Sequence, residues 1–147
     1  MAKGFIQESK SPIGTPILFV LKKDSSLKLY VNYRGLNSII VKNRYPLLLI
    51  TEIIDYIIRA KYFSKIDLKD AYYYLRIKAG DEWKTAFCTY YGYYKFIVIP
   101  IGLTNTPITF QAYINKALQG LVDDFYIIYL DDILVFSKTK EEYNLYL

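Results

Sequence analysis

Apolar residues along the chain recur mostly in short runs closed by Gly, Pro, Asn, Asp or Ser, and long amphipathic stripes are few. This pattern predicts strands at 17–21, 27–33, 75–78, 84–90 and 93–99. They are joined by turns at Lys23-Asp24-Ser25-Ser26, Ala79-Gly80-Asp81-Glu82 and Tyr91-Gly92. Residues 8–16, with Ser, Pro and Gly, read as an extended loop ahead of the first strand. The spacing of Ile53, Ile54, Ile57 and Ile58 predicts a scaffold helix over 51–60, with Thr51 as its N-cap and Glu52 and Asp55 in the first turn. A second helix starts at Thr106 as N-cap with Pro107 as first helical residue, runs to Leu118 and stops at Gly120. Its expected buried face is Phe110, Tyr113, Ile114, Ala117 and Leu118. The Lys- and Glu-containing stretch after Ser137 reads as the start of a further helix.

The strongest chemical signal lies in Phe125 to Ser137, where Asp131 and Asp132 stand between runs of β-branched and aromatic residues. This is the pattern of a buried β-hairpin with an acidic tip. An Asp-Asp turn by itself is most often only a turn, because Asp hydrogen-bonds its own backbone. Two carboxylates about 4 Å apart nevertheless repel by roughly 4 kcal/mol at an effective dielectric near 20, and a divalent cation relieves that. A second short apolar strand, Tyr62 to Asp67, also ends in a carboxylate. Hard oxygen ligands from separate strands, leaving coordination positions for phosphate, suit Mg²⁺ in two-metal phosphoryl or nucleotidyl transfer.

Composition narrows the choice. A chain of 147 residues with 53% hydrophobic and 18% aromatic content is long enough for a packed core and too apolar for disorder. The formal charge of +5, with a pI near 9.1, favours a polyanionic partner. One Cys excludes an internal disulfide, and with no His it removes the usual zinc ligands, leaving oxygen-ligated metal. No apolar run reaches the length of a membrane span, and the N-terminus lacks the apolar stretch of a signal peptide, so an intracellular setting is expected.

Several blocks carry a family resemblance. They are Leu-Lys-Lys-Asp-Ser-Ser-Leu-Lys-Leu-Tyr-Val-Asn-Tyr-Arg-Gly-Leu-Asn at 21–37, Lys-Asn-Arg-Tyr-Pro at 42–46, Tyr-Phe-Ser-Lys-Ile-Asp-Leu at 62–68, Trp-Lys-Thr-Ala-Phe at 83–87, Gly-Leu-Thr-Asn at 102–105 and Tyr-Leu-Asp-Asp at 129–132. In this order and spacing the chain resembles the reverse transcriptase of Gypsy-class long-terminal-repeat retrotransposons of fungal type. The resemblance implies an α+β fold, with an antiparallel palm sheet backed by two helices and an acidic hairpin. A β-rich fingers subdomain would come from about 1–46 and 77–102, and the palm from about 47–76 and 103–147.

By the same resemblance the function is RNA-directed and DNA-directed DNA synthesis with Mg²⁺, or Mn²⁺ in its place. Asp67 and Asp131 would bridge the metals, with Asp132 as third ligand or electrostatic support. Lys22 and Lys28 match phosphate-contacting positions, and Asp70 and Ala71 would offer backbone N–H groups to the triphosphate. Tyr72 would gate against a 2′-hydroxyl, and Gly102 would let the backbone approach the nucleotide. The implied partners are a primed RNA or DNA template, deoxynucleoside triphosphates, and thumb and ribonuclease H segments that the family supplies downstream; no membrane is implied. The family's setting is a cytoplasmic particle or the nucleus. Departures from the family pattern, among them Asn32 for Asp, Cys88 and Tyr90 for Arg, and Ile101 for Phe, together with the missing downstream segments, imply a second reading. In it the chain is an inactive remnant that keeps the fold and weak nucleic-acid binding.

Overall fold

A computed structural model describes residues 4–21, 23, 25–46, 48–121 and 125–147. The chain divides into two compact units, Met1–Lys42 with Tyr72–Thr106, and Asn43–Ala71 with Pro107–Leu147.

The first unit is built on a five-stranded sheet. Its strands are β1 (Ile6–Glu8), β2 (Thr15–Leu21), β3 (Leu27–Val31), β5 (Phe87–Thr89) and β6 (Gly92–Phe96), in the order β1-β6-β5-β2-β3. Two of the three hairpins expected here form, β2 on β3 and β5 on β6, each antiparallel, whereas 75–78 and 84–90 do not pair. β2 meets β5 in parallel through Thr15↔Phe87 and Pro16↔Cys88, so the sheet is mixed. The strand expected over 75–78 is reduced to a bridge, Arg76↔Val98, and 82–85 forms a 3₁₀ turn ahead of β5. β1 falls within residues that carry no clear alternation, and α1 (Arg34–Ile39) was likewise not legible. The core gathers Val31, Tyr33, Phe87 and Phe96, and burying an aromatic side chain of this kind contributes roughly 1.5–3 kcal/mol. Burial pushes the Tyr33 phenol well above its ordinary range, with the neighbouring Tyr73 adding to the effect, and its O–H donates to the Thr85 carbonyl at 2.9 Å. The hairpin β2–β3 leaves Leu18, Phe19, Val20, Leu21 and Leu27 largely exposed.

The second unit carries a three-stranded antiparallel sheet of β4 (Tyr62–Asp67), β7 (Tyr126–Tyr129) and β8 (Asp132–Ser137), ordered β4-β8-β7. β8, in the middle, buries Ile133, Val135 and Phe136, and β7 buries Ile127 and Ile128. β4 is an edge strand, and its Tyr62, Phe63 and Ile66 stay exposed. The scaffold helix is α2 (Ile50–Arg59), with Leu49 rather than Thr51 at the cap; the Glu52 carboxylate accepts from the Leu49 N–H at 2.7 Å. No residue of α2 is fully buried; it meets the sheet through Tyr56 on Phe136, while Ile54 and Ile58 face outward. α4 (Lys140–Tyr146) starts at Thr139, whose hydroxyl accepts from Glu142 N–H, and packs on β4 and β8 through Tyr143, which bonds the Ser64 hydroxyl.

α3 (Thr106–Ala117) lies within one residue of the predicted limits at each end, and Gly120 follows it with φ +90°. Thr106 is its first helical residue rather than its cap, and its buried hydroxyl donates to the Pro100 carbonyl at 3.0 Å. The buried face is rotated from the expected one: Phe110 and Gln111 are buried, whereas Tyr113 and Ala117 are exposed.

Candidate active site

The three carboxylates gather at one end of the three-stranded sheet. Asp67 is the last residue of β4 and Asp132 the first of β8, and they are direct cross-strand partners, placing their Cα atoms roughly 4.5–5.5 Å apart. Asp131 precedes Asp132 in the two-residue turn Leu130-Asp131 that joins Tyr129 to Asp132. The Leu68 N–H points to the Asp131 carbonyl oxygen at 3.5 Å, which ties the end of β4 to this turn. Strand alternation puts Lys65 on the face of Asp67, and the Lys65 ammonium lies 2.8 Å from an Asp132 carboxylate oxygen. The hydrogen bond and charge of Asp132 push the Lys65 ammonium up, with Asp67 and Asp131 adding in the same direction. Sequence reasoning missed Lys65; its place two residues before Asp67 was the available signal.

Among the described residues no group of three or more His, Cys, Asp or Glu is arranged to hold a metal by itself. The donor chemistry still fits a small hard cation, because Mg²⁺ takes one or two carboxylates and fills the rest of its shell with water and phosphate. Asp67, Asp131 and Asp132 are the residues that would hold it, and both strand ends leave them half-exposed or exposed to solvent.

The turn itself is held from behind. Leu130 has φ +58°, uncommon for a residue with a side chain. Gln111 Nε2 donates to the Ile128 carbonyl at 2.8 Å, and Gln111 Oε1 accepts from the Leu130 N–H at 2.7 Å. Sequence reasoning passed over Gln111, since a polar residue among apolar neighbours carries no periodic signal.

Of the other expected residues, Asp70 and Ala71 follow β4 in the same unit. Asp70 is exposed with φ +58°, and Ala71 is buried with its N–H donating to the Leu68 carbonyl at 3.2 Å, so that amide is already engaged. Tyr72, half-buried, Lys28 and Gly102 belong to the first unit. Lys28 lies on β3, its ammonium 5.1 Å from the Tyr30 ring centre. Gly102 has φ +106°, and a Cβ there would lie 3.6 Å from the Tyr33 ring and 3.8 Å from the Val31 carbonyl. Its own carbonyl accepts from Asn37 Nδ2 at 2.8 Å, and Asn37 Oδ1 accepts from Thr104 N–H at 2.9 Å, which fixes the 102–105 loop against α1. Lys22 and the turn residue Asp24 lie outside the described residues.

Residues 20–147 match the family profile described as reverse transcriptase (RNA-dependent DNA polymerase). The Tf2-3 and Tf2-7 transposon polyproteins of Schizosaccharomyces pombe are 38% and 37% identical over 143 residues, 97% of this chain. The chain spans 11% of the length of these relatives. A foamy viral protease-reverse transcriptase solved with double-stranded DNA superposes with a TM-score of 0.85 at 26% identity, covering 98% of this chain and 30% of that one. The same viral enzyme solved with an RNA/DNA hybrid gives 0.83 at 27% identity over 95% of this chain and 18% of that one.

Proposed function

The chain belongs to the reverse transcriptase family, and we propose that it supplies the fingers and palm of a Gypsy-class retrotransposon polymerase that adds deoxynucleotides to a primer on RNA or DNA templates. The single observation that carries this is the convergence of Asp67, Asp131 and Asp132 at one sheet end through the Asp67↔Asp132 register and the Leu130-Asp131 turn. In this reading the first unit serves as fingers and the second as palm.

Two Mg²⁺ ions held there would lower the pKa of the primer hydroxyl and neutralise charge on the phosphates. The residues supply the rest. Asp67 and Asp131 project oxygen ligands from adjoining chain segments, and Asp132 stands beside them as third ligand or electrostatic support. Lys65 keeps a cation beside Asp132 and so tempers repulsion within the acid cluster. Lys22, Lys28, Asp70, Ala71, Tyr72 and Gly102 are proposed contacts of the incoming nucleotide on the strength of the resemblance; at Ala71 the contact requires the turn bond to Leu68 to open. The partners proposed are a primed template and deoxynucleoside triphosphates, as bound nucleic acid in the viral relatives supports.

Primer extension tests the reading, using the chain joined to the downstream segment of a relative so that the duplex is clamped. Extension with Mg²⁺ should fall to background in Asp131→Asn while the fold persists, because the change removes a repulsive charge and no packing. Extension that survives this substitution overturns the proposal. Silence of the unsubstituted chain would favour the inactive-remnant reading instead.

A further inference from the structure

Gln111 sits in the middle of α3 and is only 3% exposed. β7 is an edge strand of its sheet, so among the described residues the outward carbonyl of Ile128 and the amide of Leu130 have no strand to pair with. Ile128 is itself 1% exposed, which leaves little water for its backbone. The Gln111 carboxamide fills both places at once, donating to Ile128 and accepting from Leu130 as the peptide group of one more strand would. Its orientation is fixed by a further donation from Nε2 to Asn115 Oδ1 at 3.0 Å, and Asn115 Nδ2 in turn donates to the Tyr45 hydroxyl at 3.0 Å. Flipping the Gln111 amide would set oxygen against oxygen at Ile128 and Asn115, and N–H against N–H at Leu130.

The held segment is the one that needs holding. Leu130 has positive φ and Asp131 does not, the sign pattern of a type II′ turn, whose first central position favours glycine. A leucine there resists the conformation. We propose that Gln111 is a positioning residue for the carboxylate turn: its amide locks Leu130 in the left-handed conformation and so fixes where Asp131 and Asp132 stand. The proposal rests on the reading of those carboxylates as the metal-binding acids of nucleotidyl transfer. Gln111 itself touches neither substrate nor ion.

Hydrogen exchange and Mn²⁺ titration by NMR on the chain test it. In the unsubstituted chain the Leu130 amide should exchange as slowly as the amides inside β8, although it lies in a turn; exchange at the rate of an open turn overturns the proposal with no variant needed. Gln111→Met keeps the volume and removes both bonds. It should speed Leu130 exchange by about tenfold or more, the scale expected from leaving buried backbone groups unpaired, and weaken Mn²⁺ broadening at Asp67 and Asp131 by a similar factor. The double variant Gln111→Met with Leu130→Gly should recover Mn²⁺ affinity, because glycine adopts the turn unaided; a residue that only fills space would show no such recovery, and its absence overturns the proposal. Should Mn²⁺ find no carboxylate site even in the unsubstituted chain, the reading of the acids fails, while slow Leu130 exchange still supports the hold of Gln111 on the turn.

Discussion

Replacing Tyr33 by Phe should weaken the fold at neutral pH and lose that effect in alkali. The ring is 2% exposed and keeps its packing in the variant, so the change isolates the O–H that donates to the Thr85 carbonyl at 2.9 Å. Leaving that buried carbonyl unpaired costs about 1–3 kcal/mol, a fall in Tm of roughly 3–10 °C for a chain of this size. The alkaline limb follows from the phenol's raised pKa, caused first by burial and then by Tyr73. Above the ordinary phenol value of about 10, the unfolded chain releases the proton and the folded chain keeps it, so wild-type stability falls by about 1.4 kcal/mol per pH unit relative to the variant. The contribution of Tyr33 is therefore complete below about pH 10 and is lost progressively above it. Ionisations not coupled to Tyr33 are common to both proteins and cancel. Urea unfolding midpoints measured from pH 8 to 12 should show the Tyr33→Phe deficit shrinking and vanishing between about pH 11 and 12. A deficit that stays constant over this range would show that the folded phenol titrates as if in water, and would refute the burial argument.

Gly102→Ala should lower stability by about 1–3 kcal/mol in thermal melts through its φ of +106°, because the added Cβ meets the Tyr33 ring and Val31 carbonyl only at ordinary contact distance. Lys65→Ala should leave the urea unfolding midpoint nearly unchanged, since the Lys65–Asp132 pair is 62% and 39% exposed; a clear drop in the midpoint would mean a stronger coupling than the geometry allows. Binding to a primed duplex, followed by fluorescence anisotropy, should weaken steeply between about 50 and 200 mM salt if the net charge of +5 drives it, and an unchanged affinity would point to a different kind of contact.

Hairpins were readable where alternation met turn chemistry, as at β2–β3, β5–β6 and β7–β8. The start of α3 was readable because Thr106-Pro107 favours helix entry, although the Thr106 hydroxyl turned out to serve Pro100. α1 was not readable: it is only 34–39, and the contacts that steady it are long-range, Asn37 reaching Gly102 and Thr104. Helical spacing located α2 but misjudged its burial, because periodicity marks an apolar stripe without telling how much of it finds a partner. At the site the three acids stood out as strand-end carboxylates. Lys65 and Gln111 did not, since a lysine on an edge strand and an inward glutamine acquire their roles only from what the fold sets opposite them.

The order β4-β8-β7 also dictates when the acidic end of the sheet can exist during synthesis. β8 is the last of these strands to leave the ribosome, yet it is the middle one, and β4 and β7 share no pairing without it. Until Ser137 has emerged, Asp67 waits on a strand with two open edges, and Asp131 on half a hairpin. A nascent chain interrupted before that point carries two unpaired apolar strands ready to join a neighbour's, so aggregation of incomplete chains and assembly of the acid cluster are alternative fates decided by the arrival of one strand.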